Sequence, residues 1–145
     1  MRLMKIGIAS DHAGFELKEQ LRQYLESKGI EVHDYGTSSE DSCDYPDYAH
    51  PLAEAVESQK EDLGLIMCGS GNGINMTANK HQGIRSALAW LPEIASLARQ
   101  HNNANVLALP ARYLSQEEAK NILDAFLDSE FEGGRHERRV NKIAL

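Results

Sequence analysis

The sequence predicts an α/β fold: a parallel, doubly wound sheet of five strands with helices on both faces, a three-layer sandwich. Three observations carry this. Short apolar runs alternate along the chain with longer amphipathic stretches, which is the order of repeated strand–helix units in a parallel sheet. The runs, such as Leu65-Ile66-Met67, are continuous rather than alternating, as strands buried on both faces require. One of them ends in Cys68-Gly69-Ser70-Gly71-Asn72-Gly73, a glycine-rich turn between a strand and a helix.

Lys5 to Ser10 reads as the first strand. It is followed by Asp11-His12-Ala13-Gly14, and then by Phe15, Leu17, Leu21, Tyr24 and Leu25 at helical spacing up to Gly29. Ile30 to Tyr35 is the second strand, and the polar stretch Gly36 to Asp44 is a loop. Pro46 opens a helix with Ala49, Leu52, Ala53 and Val56 inward. Leu63 to Met67 is the third strand, with a helix expected from Ile74 to His81. Ile84 to Ala89 is the fourth strand, and a helix from Pro92 ends near His101-Asn102-Asn103. Asn105 to Leu109 is the fifth strand, and Ser115-Gln116-Glu117-Glu118 has the form of a capping box for a last core helix. A basic tail from Phe131 to Val140 contrasts with an otherwise acidic chain.

The 145 residues make one domain, 1–145. A charge of −7, from 15 Lys and Arg against 22 Asp and Glu, makes nucleic acid and anionic membrane poor partners. No apolar run is long enough to span a bilayer, and Met1-Arg2-Leu3-Met4 leads into a strand rather than a signal peptide. Two cysteines, Cys43 and Cys68, do not make a disulfide framework, so a cytoplasmic location is expected. No CxxC, HExxH or paired-histidine signature suggests a metal.

Ligands of such sheets bind at the carboxyl ends of the strands. That rule gathers Asp11 and His12 after the first strand, Asp44-Tyr45 after the second, Cys68 with its loop after the third and Arg112 after the fifth. His101 precedes the fifth strand and is expected on the far side of the sheet, from where a partner subunit could return it. The glycine turn lacks the Lys-Ser/Thr of a Walker A loop, and its G-x-G-x-G spacing is not that of a dinucleotide fingerprint. Glycine N–H groups and a helix start can still cradle an anion.

Each candidate has a plainer alternative. Cys68 reads as a reactive thiol beside the cradle or as a buried structural cysteine. Asp11-His12 could orient a hydroxyl, or be a helix cap and its neighbour. His101-Asn102 could be a general acid with a hydroxyl-binding amide, or a helix-end histidine on the dipole. Arg135 and Arg139, four apart, suit a phosphate or a solvated face. His33, His50 and His81 read as surface or structural residues. A cradle, a thiol, a histidine and an arginine pair together suggest acid–base work on a small phosphorylated molecule.

The segments Ser10-Asp11-His12-Ala13-Gly14-Phe15, Asp44-Tyr45-Pro46, Cys68 to Gly73, Asn79-Lys80, Arg99-Gln100-His101-Asn102, Asn105-Val106-Leu107 and Glu132-Gly133-Gly134-Arg135-His136 resemble those of type B ribose-5-phosphate isomerases, nearly end to end and in order. The resemblance implies a Rossmann-like fold and a homodimer, with a dimer of dimers left open. It also implies interconversion of ribose 5-phosphate and ribulose 5-phosphate without metal or cofactor. By the same resemblance Cys68 is the base moving a proton between C1 and C2, and Gly69, Ser70, Gly71, Asn72 and Gly73 hold the enediolate oxyanion. His101 assists ring opening, Asp11 and Asn102 hold hydroxyls, and His12, Arg112, Arg135 and Arg139 bind phosphate, some from the partner. The basic tail, about 133–143, is expected as a helix against that partner. Ser70 stands where many members have threonine, and Asn75 where a cysteine-less branch carries a glutamate. Two alternatives remain: an isomerase of a six-carbon phosphosugar such as allose or galactose 6-phosphate, and a phosphosugar-binding regulator without turnover.

Overall fold

In the computed structural model, residues 3–145 are described; Met1 and Arg2 of the expected run into the first strand lie outside the described residues. Five parallel strands form one sheet in the order β2-β1-β3-β5-β4. They are β1 (Lys5–Ser10), β2 (Glu31–Asp34), β3 (Leu63–Cys68), β4 (Ser86–Leu88) and β5 (Val106–Pro110). The helices are α1 (Phe15–Ser27), α2 (Pro46–Glu57), α3 (Asn72–Ala78), α4 (Pro92–Asn102), α5 (Gln116–Leu127) and α6 (Arg135–Val140). The fold is the α/β three-layer sandwich expected from the sequence.

Strand alternation divides the core. Ile6, Ile8, Leu65, Met67, Leu107 and Leu109 face α1, α4 and α5. Ala9, Ile66, Cys68, Val106 and Ala108 face α2 and α3. The small Ala9 and Ala108 on the second face let α2 and α3 pack close, and Gly64 makes room for the Leu52 side chain. Because α1 leads to one side of β1 and α2 to the other, the winding reverses between β1 and β3, where a ligand cleft belongs.

Several boundaries differ from those expected. α3 begins two residues early, at Asn72, and stops at Ala78. Beyond it the Asn79 side chain pairs with the Ser86 backbone, donating to its carbonyl (2.9 Å) and accepting from its N–H (2.8 Å). Asn105 does the same work for Arg85 N–H and the Gly83 carbonyl, both at 2.8 Å. These amides take bonds a longer strand would make, and β4 shrinks to Ser86–Leu88. α1 ends as expected, with Gly29 at φ 80° just beyond it, and α5 starts on a complete Ser115–Glu118 capping box.

Candidate active site

β1 and β3 deliver their last residues side by side, Ser10 being in register with Met67. Asp11 follows directly. It is buried, caps the short 3-10 turn His12–Gly14, and accepts from the Gly14 N–H at 3.1 Å. These are the contacts of a helix cap made through Oδ1. Gly14 is needed for space: a Cβ there would lie 2.8 Å from the Met67 carbonyl oxygen. His12 meets the loop after β2, its Nδ1 accepting from the Cys43 N–H at 3.2 Å with the Cys43 Sγ at 3.9 Å. In the neutral ring this places the proton on Nε2.

Cys68 ends β3 and is 5% exposed, packed on the α2–α3 face. The loop beyond it is shaped by close approaches. Gly71 has φ 79°, and a Cβ there would strike Leu88 at 2.5 Å, so both conformation and space call for glycine. Gly73 lies directly beneath the Tyr45 ring. Ser70 Oγ accepts from the Asn72 N–H (3.3 Å) and from its amide (3.2 Å). Arg112, in the turn after β5, donates its backbone N–H to the Gly69 carbonyl at 3.0 Å, and its guanidinium lies against Gly69. Cys68, the glycine loop and Arg112 thus come together at one end of the sheet, with Asp11 and His12 just past the end of the adjoining strand. A cation beside a turn of backbone N–H groups is suited to an anion.

His101, Asn102, Arg135 and Arg139 do not join them. α4 returns from the carboxyl end of β4 to the amino end of β5, so its last residues lie at the opposite edge of the sheet. Asn102 lines a groove of about 360 Å³ with Asn79, Ala98 and Ile143. Within the tail, where a helix of about 133–143 against a partner is expected, the chain forms the shorter helix Arg135–Val140, which packs on its own α4. His101 there stacks on His136, centroids 4.2 Å apart. A cavity of about 530 Å³ at this same end, bordered by Glu57, Glu61, Asp62, Arg85 and Asn105, is remote from Cys68.

Three features had no local signal in the sequence. They are the Tyr45 ring over Gly73, the Cys43–His12 contact, and the Glu132 carboxylate within 4 Å of both His101 and His136. The histidines read as structural are in contacts of that kind. His33 lies between Glu61 and Glu31, and His50 Nδ1 is 2.7 Å from His81 Nε2.

A family model described as Ribose/Galactose Isomerase matches residues 6–143. The chain belongs to that family. Among its relatives, ribose-5-phosphate isomerase B of Escherichia coli is 45% identical over 141 residues, covering 97% of this chain and 95% of that one. A solved ribose 5-phosphate isomerase from Thermotoga maritima superposes with a TM-score of 0.97 at 53% identity, covering 99% of both chains. The Mycoplasma genitalium ribose-5-phosphate isomerase B, solved with bound ribulose-5-phosphate, gives a TM-score of 0.94 at 43% identity, covering 98% of this chain and 95% of its own. Members of the ribose/galactose isomerase family are therefore this chain's relatives over almost its whole length. Among the described residues, no helix is long and apolar enough to cross a membrane.

Proposed function

We propose that this chain is an aldose–ketose isomerase interconverting D-ribose 5-phosphate and D-ribulose 5-phosphate. The observation that carries the reading is the near full-length likeness to the M. genitalium enzyme holding ribulose-5-phosphate. The assembly of Cys68, the glycine loop and Arg112 at the β1/β3 switch point agrees with it.

In this reading ribose 5-phosphate is first opened, with His101 assisting the proton movements. Cys68, as thiolate, takes the C2 proton of the open aldehyde and returns it to C1, while the O2 hydroxyl proton passes to O1, so that C2=O2 replaces C1=O1. Between these steps the negative charge rests on an enediolate oxygen, held by N–H groups of Gly69 to Gly73. Fixed donors act where charge develops, and removing one typically costs about 3 kcal/mol. Asp11 and Asn102 hold hydroxyls, and His12, Arg112, Arg135 and Arg139 hold the phosphate. The chemistry asks for no metal or cofactor, because proton transfer and oxyanion stabilisation come from the chain itself.

Such a site needs two copies, because one chain places Cys68 and His101 at opposite edges of the sheet. A two-fold axis perpendicular to the strands sets the partner's carboxyl edge beside this chain's amino edge. The face around the edge strand β4 supports this: Met76, Trp90, Leu91 and Ile143 are all at least half exposed there. Apolar surface of this kind marks an interface. We read the assembly as a homodimer acting in the cytoplasm, with a dimer of dimers as a further possibility for solution measurement.

The test is an assay of the purified chain with ribose 5-phosphate, with and without a chelator, beside allose 6-phosphate and galactose 6-phosphate. Conversion of the pentose, unchanged by chelator, is expected. Turnover confined to a hexose phosphate moves the substrate to the six-carbon alternative. Binding of ribose 5-phosphate with no product overturns catalysis in favour of a regulator.

A further inference from the structure

The group assigned to ring opening does not stand alone. Glu132 Oε1 lies 3.8 Å from His101 Nε2 and 3.6 Å from His136 Nε2. The two imidazoles are face to face, with 12° between their planes. The backbone holds this arrangement: the Glu132 N–H donates to the Gln100 carbonyl at 3.0 Å, tying the tail to α4 one residue before His101. The tail then brings His136 back over that ring, four positions after Glu132.

Three possible metal ligands within 4.8 Å of one another invite a metal reading, but the angles oppose it. Nearly parallel rings confine their lone pairs to two stacked planes that do not meet between the rings, so the pair does not chelate one ion well. The trio is better suited to one proton. Two imidazolium rings at this separation repel, and a single carboxylate faces both Nε2 atoms.

We propose that Glu132 and His136 are positioning residues for His101: they fix its ring and limit the stacked pair to a single positive charge. The proposal rests on the ribose 5-phosphate reading. Opening the furanose moves no net proton. The C1–O4 bond breaks, O1 gives up its proton as C1=O1 forms, and O4 takes a proton with the released electron pair. An imidazole serving that exchange has to accept and release a proton near neutral pH. A neighbour that resists a second charge, with a carboxylate facing both rings, opposes charging the two rings at once.

The charges around the pair are consistent with this. Burial lowers the His136 imidazole below its ordinary value; His101, Arg135 and Arg139 act in the same direction, and Glu132 opposes them. Glu137 and Arg138 are the other charges of α6. On α4, the Arg99 guanidinium donates to the Ala104 carbonyl.

Glu132→Gln removes the carboxylate charge, and His136→Phe keeps a stacking ring without a titrating group. Turnover of ribose 5-phosphate is followed against pH in both. Exchange of the C1 protons of ribulose 5-phosphate with solvent and the NMR titration of His101 are measured alongside. In Glu132→Gln the histidine-dependent limb is expected to move down by about half a pH unit, a modest shift because Glu132 is half exposed. In His136→Phe it should move up by a smaller amount, because an imidazole held below its ordinary value repels its neighbour only while it is itself charged. The His101 titration should follow both shifts, with C1 exchange within about twofold of wild type. Limbs and titrations that superimpose on wild type overturn the proposal, and so do shifts of the same sign in both variants. Loss of turnover in step with melting temperature, with no displacement in pH, shows a merely structural role and also overturns it. If the wild type fails to convert ribose 5-phosphate, the reading of the reaction fails, and the NMR titrations still decide the coupling.

Discussion

Cys68 and Arg139 are proposed to act at different stages, and their substitutions should separate. Cys68→Ala removes the only thiol at the glycine loop while sparing the loop's N–H groups and the arginines. kcat for ribose 5-phosphate should fall at least on the order of 10²–10⁴-fold, as for a lost general base, with binding by calorimetry nearly unchanged. Wild-type turnover would remove Cys68 from the chemistry, and parallel loss of binding would make it structural. Arg139→Ala should raise KM strongly with a smaller change in kcat, since a charge-assisted bond to phosphate is made in ground and transition states alike. An unchanged KM would mean that the tail does not reach a site. The glycine turn and its thiol were legible because glycines, a cysteine and a preceding apolar run sit together in sequence. Glu132 and His136 were not. They reach His101 only because a tail some thirty residues downstream hydrogen-bonds back to α4, which no local pattern encodes.

Strand and helix order could be read from the sequence, whereas ion pairs between elements could not. Lys18 lies among apolar positions of α1 and is fully buried, its Nζ 2.7 Å from Asp34 of β2 and 3.0 Å from Glu19. Periodicity marks that position as inward but says nothing of a carboxylate at the end of β2 to meet it. Glu61 is a second case. It is buried before β3, where it accepts from the Tyr35 hydroxyl at 2.6 Å, and burial and that carboxylate raise the Tyr35 phenol well above its ordinary value. Around α1 the pairing has a pH signature. The hydrogen bonds from Arg22, and then from Lys18, hold the Glu19 carboxyl down at about 2 against an ordinary 4.5, with partial burial opposing. A depressed acid stabilises the fold above its unfolded-state value, and that contribution fades as pH falls toward the folded value. Glu19→Gln should therefore lower the melting temperature modestly at pH 7 and flatten its decline between about pH 4.5 and 2. Parallel melting curves for the two proteins across that range would mean that Glu19 contributes nothing to acid unfolding.

On the scale of the molecule, the winding of the sheet decides which residues one chain can bring together. α4 carries His101 away from the edge where β1 and β3 end, and nothing among the described residues brings it back. Under the proposed two-fold assembly each site takes Cys68 from one protomer and His101 from the other. Ribulose 5-phosphate has its O5 esterified and cannot close the furanose ring that ribose 5-phosphate forms. His101→Ala should therefore slow the reaction from ribose 5-phosphate while leaving C1 proton exchange of ribulose 5-phosphate comparatively intact. Cys68→Ala should abolish both. Mixing the two variants then tests where the residues meet. A mixed dimer holds one site with both lesions and one with neither, so free exchange of equal amounts should restore about a quarter of wild-type activity. If both residues served a site within one chain, every site in the mixture would carry a lesion. No recovery, with mixed dimers verified by mass, would place Cys68 and His101 in one chain's site and overturn the shared interface.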